Sequence, residues 1–367
     1  MTASMGSGHN QVARELSGRL SERAQTRTVD LLEILPWRIG HGLRSGYAAM
    51  LNRAPWLYDQ IFQAFFVPRN HWQPSTSPLV TLAARRLQLV VTACQPSAVV
   101  STFHLAGQAA GWLRQRGRLA VPSVVVITEP ASHALWAHPG TDLFVCPYPW
   151  VAEDARRATK KPALVPGPVV SRERPSAEDA VTVGRRALRL QPGEDAVLIS
   201  TGSWGVGDVE ETVDELAGLP GVRAFVLCGR NERLRRRVDG RSGCRALAWR
   251  ADLPTLFAAA RVLVDNAGGT TCAEAFAAGL PVVAHRPLPG HGRAGVRALT
   301  NAGLVRDGQS GLRAAVQALL VPGAVRDEQC RRAAAVFRAD PGAATFDWLT
   351  RPELARSTPP HQHSSSG

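Results

Sequence analysis

Short apolar runs recur along this chain, and most are followed by a stretch whose apolar residues fall three and four apart. Uninterrupted Val, Ile and Leu suit parallel strands covered on both faces, and the wider spacing suits one-sided helices. In the first half the pattern predicts strands over 28–34, 98–101, 123–128 and 142–146, with helices over 10–22, 77–93 and 105–116. In the second half it predicts strands over 196–201, 223–228, 246–249 and 262–265, with helices over 208–216, 253–260, 312–320 and 326–337. Strand–helix alternation carried out twice predicts an α/β protein of two Rossmann-like, doubly wound parallel-sheet domains.

The seam between the halves is 160–176, which carries Pro162, Pro166, Pro168 and Pro175 among basic residues. The expected division is a first domain over 1–165, a second over 176–340 and a C-terminal segment over 341–367. From about 350 the text turns to Ser, Pro, His and Gln, as in a disordered tail, where His361 and His363 are read as solvated rather than metal-binding. No apolar run reaches bilayer length and no secretory signal is visible, so a cytoplasmic protein is expected. The six cysteines are scattered without a Cys-x-x-Cys pair, which fits buried thiols in a reducing compartment.

A net charge of +13 changes this picture more. Arginine, alanine and glycine richness also follows from a GC-rich genome, but the excess would draw the chain to anionic lipid or to nucleotide phosphates. Nucleic acid is not expected, because no nucleic-acid-binding module is legible.

Candidate chemistry concentrates in 262–289. Val262, Leu263 and Val264 make a buried strand; Gly268 and Gly269 turn the chain and let a ligand approach the backbone; Thr270 or Thr271 can cap the helix that follows. Glu274 is expected in its first turn, Gly279 ends it, and 280–284 begin the next strand. The free N–H groups and positive dipole end of such a helix suit a diphosphate, and a carboxylate one turn in suits ribose hydroxyls. Together they describe a nucleotide-sugar site.

The ordered set Gly268, Gly269, Thr271, Glu274, Ala275, Gly279, Pro281, Pro287, Pro289 and Gly290 resembles the donor signature of GT-B glycosyltransferases. It is most similar to the family 28-like branch that holds the peptidoglycan N-acetylglucosaminyltransferase and the monogalactosyldiacylglycerol synthases. That resemblance implies two domains facing across a cleft, a nucleotide-sugar donor (UDP-linked) and a metal-independent inverting transfer to a hydroxyl, here on a membrane lipid such as diacylglycerol. It implies donor contacts at Gly202 and Ser203 in the loop Gly202-Ser203-Trp204, at Arg230, at Trp249, and at His291, in a loop that departs from the family's Gln-Glu. Ala248 stands where the family carries glycine, which loosens base identity.

Thr2 to Asn10 resembles the end of the family's first strand with its glycine loop, the strand itself cut to a stub, as though the true start lay upstream. His9 in that loop is the first candidate base and Glu129, in the Thr128-Glu129-Pro130 stretch, the second; Asn10 is expected to cap the helix, and His104 is a possible acceptor contact. Trp37, Tyr47, Trp56, Tyr58, Phe62, Phe65, Phe66 and Trp72 interleave with Arg38, Arg44, Arg53 and Arg69, a mixture suited to a peripheral membrane surface on the inner face of the cell membrane. Transfer to a soluble natural product, a sugar-nucleotide epimerase of like architecture, and a nucleotide-sugar-binding protein without turnover remain open at this level.

Overall fold

The computed structural model describes residues 1–65, 77–172 and 177–351. Phe66, Arg69, Trp72, His361 and His363 lie outside them. The first half runs α1 (Gly8–Ser21), α2 (Leu31–Ile34), α3 (Ile39–Arg53), α4 (Pro55–Phe65), α5 (Pro78–Cys94), β1 (Val99–Ser101), α6 (His104–Gln115), β2 (Ser123–Val126), β3 (Leu143–Val145), α7 (Pro149–Thr159) and β4 (Ala163–Leu164). The strands form one parallel sheet in the order β1-β2-β3-β4. Its middle strands are buried on both faces, as their unbroken valines require.

Met1 and Thr2 extend this sheet beyond β1. The Thr102 N–H donates to the Met1 carbonyl (2.9 Å), and Thr2 forms a parallel bridge with Asp30. The strand expected over 28–34 shrinks to that bridge. Asp30 accepts from the Leu32 N–H (2.9 Å) and so starts α2, turning an apolar run into a helix. Asn10 is not a cap either: α1 begins two residues earlier, and the Asn10 side chain is spent on Thr2 and Ser4.

The second half runs α8 (Ala177–Leu188), β5 (Asp195–Ser200), α9 (Val209–Leu216), β6 (Val222–Leu227), α10 (Glu232–Val238), β7 (Arg245–Leu247), α11 (Leu253–Ala259), β8 (Ala260–Asp265), α12 (Thr270–Ala277), β9 (Val282–Ala284), α13 (His291–Asn301), β10 (Arg306–Asp307), α14 (Leu312–Leu320), α15 (Ala324–Ala334) and α16 (Pro341–Leu349). Its parallel sheet has the order β10-β9-β8-β5-β6-β7, with the order reversing at β5. Residues 165–172 between the halves are held rather than loose: the Pro166 carbonyl accepts from the Arg338 (2.8 Å) and Ala339 (3.0 Å) N–H groups. The chain then crosses back. α16 packs on α1, with Trp348 in one apolar cluster with Val12 and Leu16, and Asp340 pairs with Arg19 (3.2 Å).

Candidate active site

β8 ends on Asp265, whose buried carboxylate accepts from the Ala267 (3.0 Å) and Gly268 (2.5 Å) N–H groups; burial pushes its pKa up. Gly268 takes φ +65°, and the turn aims the N-terminus of α12 toward the first domain. Gly269 holds the cap position and has no side chain to cap with, so the capping role expected of Thr270 or Thr271 is corrected: Thr270 is the first helical residue. Glu274 accordingly falls in the second turn rather than the first. The Gly268 N–H is already engaged by Asp265, which leaves the first N–H groups of the helix, from Gly269 through Cys272, as the free donors.

The N-terminal loop closes against this helix. The Ser7 N–H donates to Ser203 Oγ (3.2 Å), and a Cβ on Gly8 would lie 2.5 Å from Thr270 Oγ1. A side chain at position 8 would force the Thr270 hydroxyl to turn away. The Gln11 amide donates to Glu274 Oε1. His9, Ser203, Thr270 and Glu274 are thus brought to one seam between the domains. Burial raises the Glu274 carboxyl to about 7.

His9 follows that loop. Its Nδ1 lies 2.9 Å from the Thr102 carbonyl and 3.2 Å from Thr128 Oγ1. A carbonyl only accepts, so Nδ1 carries the proton and Nε2 keeps its lone pair. Burial lowers the His9 pKa to about 4, which keeps the ring neutral. Glu129 Oε2 stands 3.5 Å from His133 Nε2, and burial raises its carboxyl to about 7. His9, His104 and His133 surround the buried Trp136, with ring centroids 6.2, 5.9 and 5.9 Å from it. Burial first, and neighbouring imidazoles second, lower His104 to about 3 and His291 to about 4, and hold His133 well below the usual range. The seam is therefore lined by uncharged imidazoles at neutral pH.

From the other side α4 grips the loop before α13. Asp59 accepts from the Gly290 N–H (2.9 Å) and pairs with Arg293 (3.0 Å), while the Tyr58 hydroxyl meets His291 Nδ1 (2.7 Å). Gly290 takes φ +69°, and a Cβ there would reach Tyr58 (2.8 Å) and Phe62 (2.9 Å). The Tyr47 ring packs edge-on to Tyr58 and to Trp204. Arg230 lies over the Trp249 ring at 4.9 Å, and its N–H donates to the Ser203 carbonyl (3.0 Å). Gly202 opens that loop at φ +67°. Sequence reasoning named neither Gln11 nor Asp59 as part of the site; the run Pro55-Trp56-Leu57-Tyr58-Asp59 held the signal for the second. Among the described residues, no helix is long and apolar enough to cross a membrane.

Residues 9–170 match the monogalactosyldiacylglycerol (MGDG) synthase family model. The chain is 27% identical over 214 residues to a processive diacylglycerol beta-glucosyltransferase of Bacillus subtilis (strain 168), a match that covers 56% of this chain and 55% of that protein. It is 24% identical over 301 residues to the protein of the same name from Bacillus licheniformis, covering 79% of this chain and 77% of the relative. In three dimensions it resembles the crystal structure of Acinetobacter baumannii MurG, with a TM-score of 0.57, 15% identity and coverage of 95% of this chain and 97% of the other. That likeness carries the fold.

Proposed function

We propose that this chain is a glycosyltransferase of the family 28-like branch of the GT-B fold, and that it moves a hexose from a UDP-sugar to a hydroxyl of a membrane lipid, diacylglycerol being the model acceptor, with inversion at the anomeric carbon. The observation that carries this reading is the meeting of the His9 loop with the N-terminus of α12, where Gly8 abuts Thr270 and Gln11 holds Glu274. A base and a diphosphate cradle face each other across one seam.

The domains part slightly to admit the donor. Glu274 exchanges Gln11 for the ribose hydroxyls, and the N–H groups of Gly269, Thr270 and Thr271 face the diphosphate. Trp249 and Arg230 flank the base and the phosphates, and His291, steadied by Tyr58, faces the sugar. His9 Nε2 takes the acceptor proton as the acceptor oxygen bonds to the anomeric carbon. The bond from that carbon to the diphosphate oxygen breaks, and the nucleoside diphosphate leaves with the electron pair. His9 is preferred over Glu129 on geometry: its Nδ1 is anchored on the Thr102 carbonyl, which leaves the Nε2 lone pair free, and its loop meets the N-terminus of α12. No metal is assigned to the step. The exposed aromatics Trp37 and Trp56, with the basic residues of α3, are the surface we assign to the inner face of the cell membrane.

The test incubates the purified chain with diacylglycerol-containing vesicles and a panel of UDP-sugars, and reads the lipid fraction by mass spectrometry. A hexosyl-lipid with wild type, formed at least about a hundredfold more slowly with His9→Ala, is expected. UDP binding without any lipid product would move the acceptor to a soluble molecule; no UDP binding at all would end the donor reading.

A further inference from the structure

α13 begins without a cap of its own, because its N-cap residue, Gly290, carries no side chain. A helix start leaves N–H donors unsatisfied and favours a negative charge. Here the charge comes from the other domain. Asp59 of α4 accepts from the Gly290 N–H (2.9 Å) through one carboxylate oxygen and meets Arg293 (3.0 Å) through the other. The arginine of that ion pair is half exposed, so the pair adds little; the bond to the backbone is the one that fixes the turn. Two further contacts bring the first domain to the same place. The Tyr58 hydroxyl is shared between His291 Nδ1 (2.7 Å) and Tyr47. A Cβ on Gly295, one turn along α13, would lie 2.8 Å from Pro130 Cγ. The second domain's own bonds close the loop on itself: the Leu288 N–H donates to the Asn266 carbonyl (2.8 Å) and the Arg293 N–H to the Leu288 carbonyl (2.9 Å).

We propose that Asp59 is a positioning residue for the sugar half of the donor: by capping α13 across the domain seam it sets where His291 stands, so discrimination among hexoses is built by the first domain while the nucleotide is held by the second. This rests on the donor reading above, in which His291 faces the sugar and α12 the diphosphate. His291 is the first residue of α13, so its side chain moves with the turn that Asp59 caps. A site tells one hexose from its epimer through hydrogen bonds to hydroxyls, and such a bond discriminates only while its protein partner stays in place. The contacts of Thr270 and Glu274 with the first domain run instead to Gly8 and Gln11 of α1. The nucleotide end thus rests on α1 and α12, and the sugar end on α4 and α13.

Wild type, Asp59→Asn and Asp59→Ala are compared, with thermal melts confirming that each is folded. Asparagine keeps a carbonyl oxygen for the Gly290 N–H and drops the charge; alanine drops both. Should the alanine variant not fold, Asp59→Leu, which keeps the bulk and removes both acceptors, takes its place under the same criteria. Calorimetry reads UDP, UDP-glucose and UDP-galactose, and amide exchange reads residues 290–293. Expected in Asp59→Ala are affinity about tenfold or more weaker for whichever conjugate wild type prefers, a narrowed ratio between the two hexoses, UDP affinity within about twofold of wild type, and faster exchange at 290–293 but not at 270–274. Asp59→Asn should recover most of the sugar affinity. The proposal is overturned if UDP and its conjugates weaken together in Asp59→Ala, if neither weakens, if the hexose ratio is unchanged, if Asp59→Asn loses as much as Asp59→Ala, or if wild type binds UDP but neither conjugate. A wild type that binds none of the three overturns the donor reading itself and the sugar role with it, while exchange at 290–293 still reports whether Asp59 caps α13.

Discussion

At the scale of the residue, the two candidate bases differ in a way a pH profile can read. Burial holds His9 near 4 and lifts Glu129 to about 7. A base must be unprotonated to act. If His9 serves, kcat/KM for the acceptor at saturating donor stays flat from pH 8 down to about 5; if Glu129 serves, it falls about tenfold per pH unit below 7. His9→Ala should cost about 100- to 10,000-fold in kcat with UDP affinity intact. The contact between Gln11 and Glu274 yields a second outcome. That bond occupies the carboxylate assigned to the ribose, so it competes with donor. Gln11→Ala should tighten UDP binding by about 2- to 10-fold, the worth of one hydrogen bond, and calorimetry would show it. Weaker binding would mean that Gln11 itself touches the donor.

At the scale of the element, strands buried on both faces were legible because nothing but an apolar run can fill them: β2, β3, β5 and β8 fall where valine and leucine cluster. Local capping chemistry was less legible. Val29 to Ile34 carries strand-like residues, yet one carboxylate at Asp30 commits 31–34 to a helix. At α12 the threonines suggested caps, but two glycines in series displace the helix start by one residue and push Glu274 into the second turn. The grip of α4 on the 287–293 loop was beyond reach, because it joins residues some 230 positions apart. That grip predicts a steep cost for Gly290→Ala. The new methyl meets Tyr58 and Phe62, and φ +69° is strained for any L side chain. A loss of about 1–3 kcal/mol is expected, read as a lowered melting temperature. Tyr58→Phe keeps the ring packing and removes the hydroxyl that meets His291 and hydrogen-bonds with Tyr47. It should raise the KM for the sugar donor by several-fold while melting like wild type.

At the scale of the whole molecule, the division into two domains was readable from repeated strand–helix alternation, but the return of the chain to its first domain was not. α16 follows the last helix of the second unit and then lies on α1, the helix whose first turn carries His9 and Gln11. Trp348 is buried with Val12 and Leu16, while Arg19 and Arg172 both reach Asp340. The C-terminal segment is therefore a strap that fixes α1, and through α1 the loop that meets Thr270 and Glu274. Cutting a large aromatic from that cluster should cost about 3–5 kcal/mol, and the cost should land on the contact between α1 and α16. In Trp348→Ala, amide exchange should rise along α1 and α16 while β5, β6 and β8 stay protected, because those strands contribute no side chain to the apolar cluster that holds Trp348. The same variant should lose transfer activity more than UDP affinity, since the donor cradle rests on α12 and the base rests on α1. Equal loss of both would show that the strap holds the domains together as a whole rather than placing the helix that carries the base.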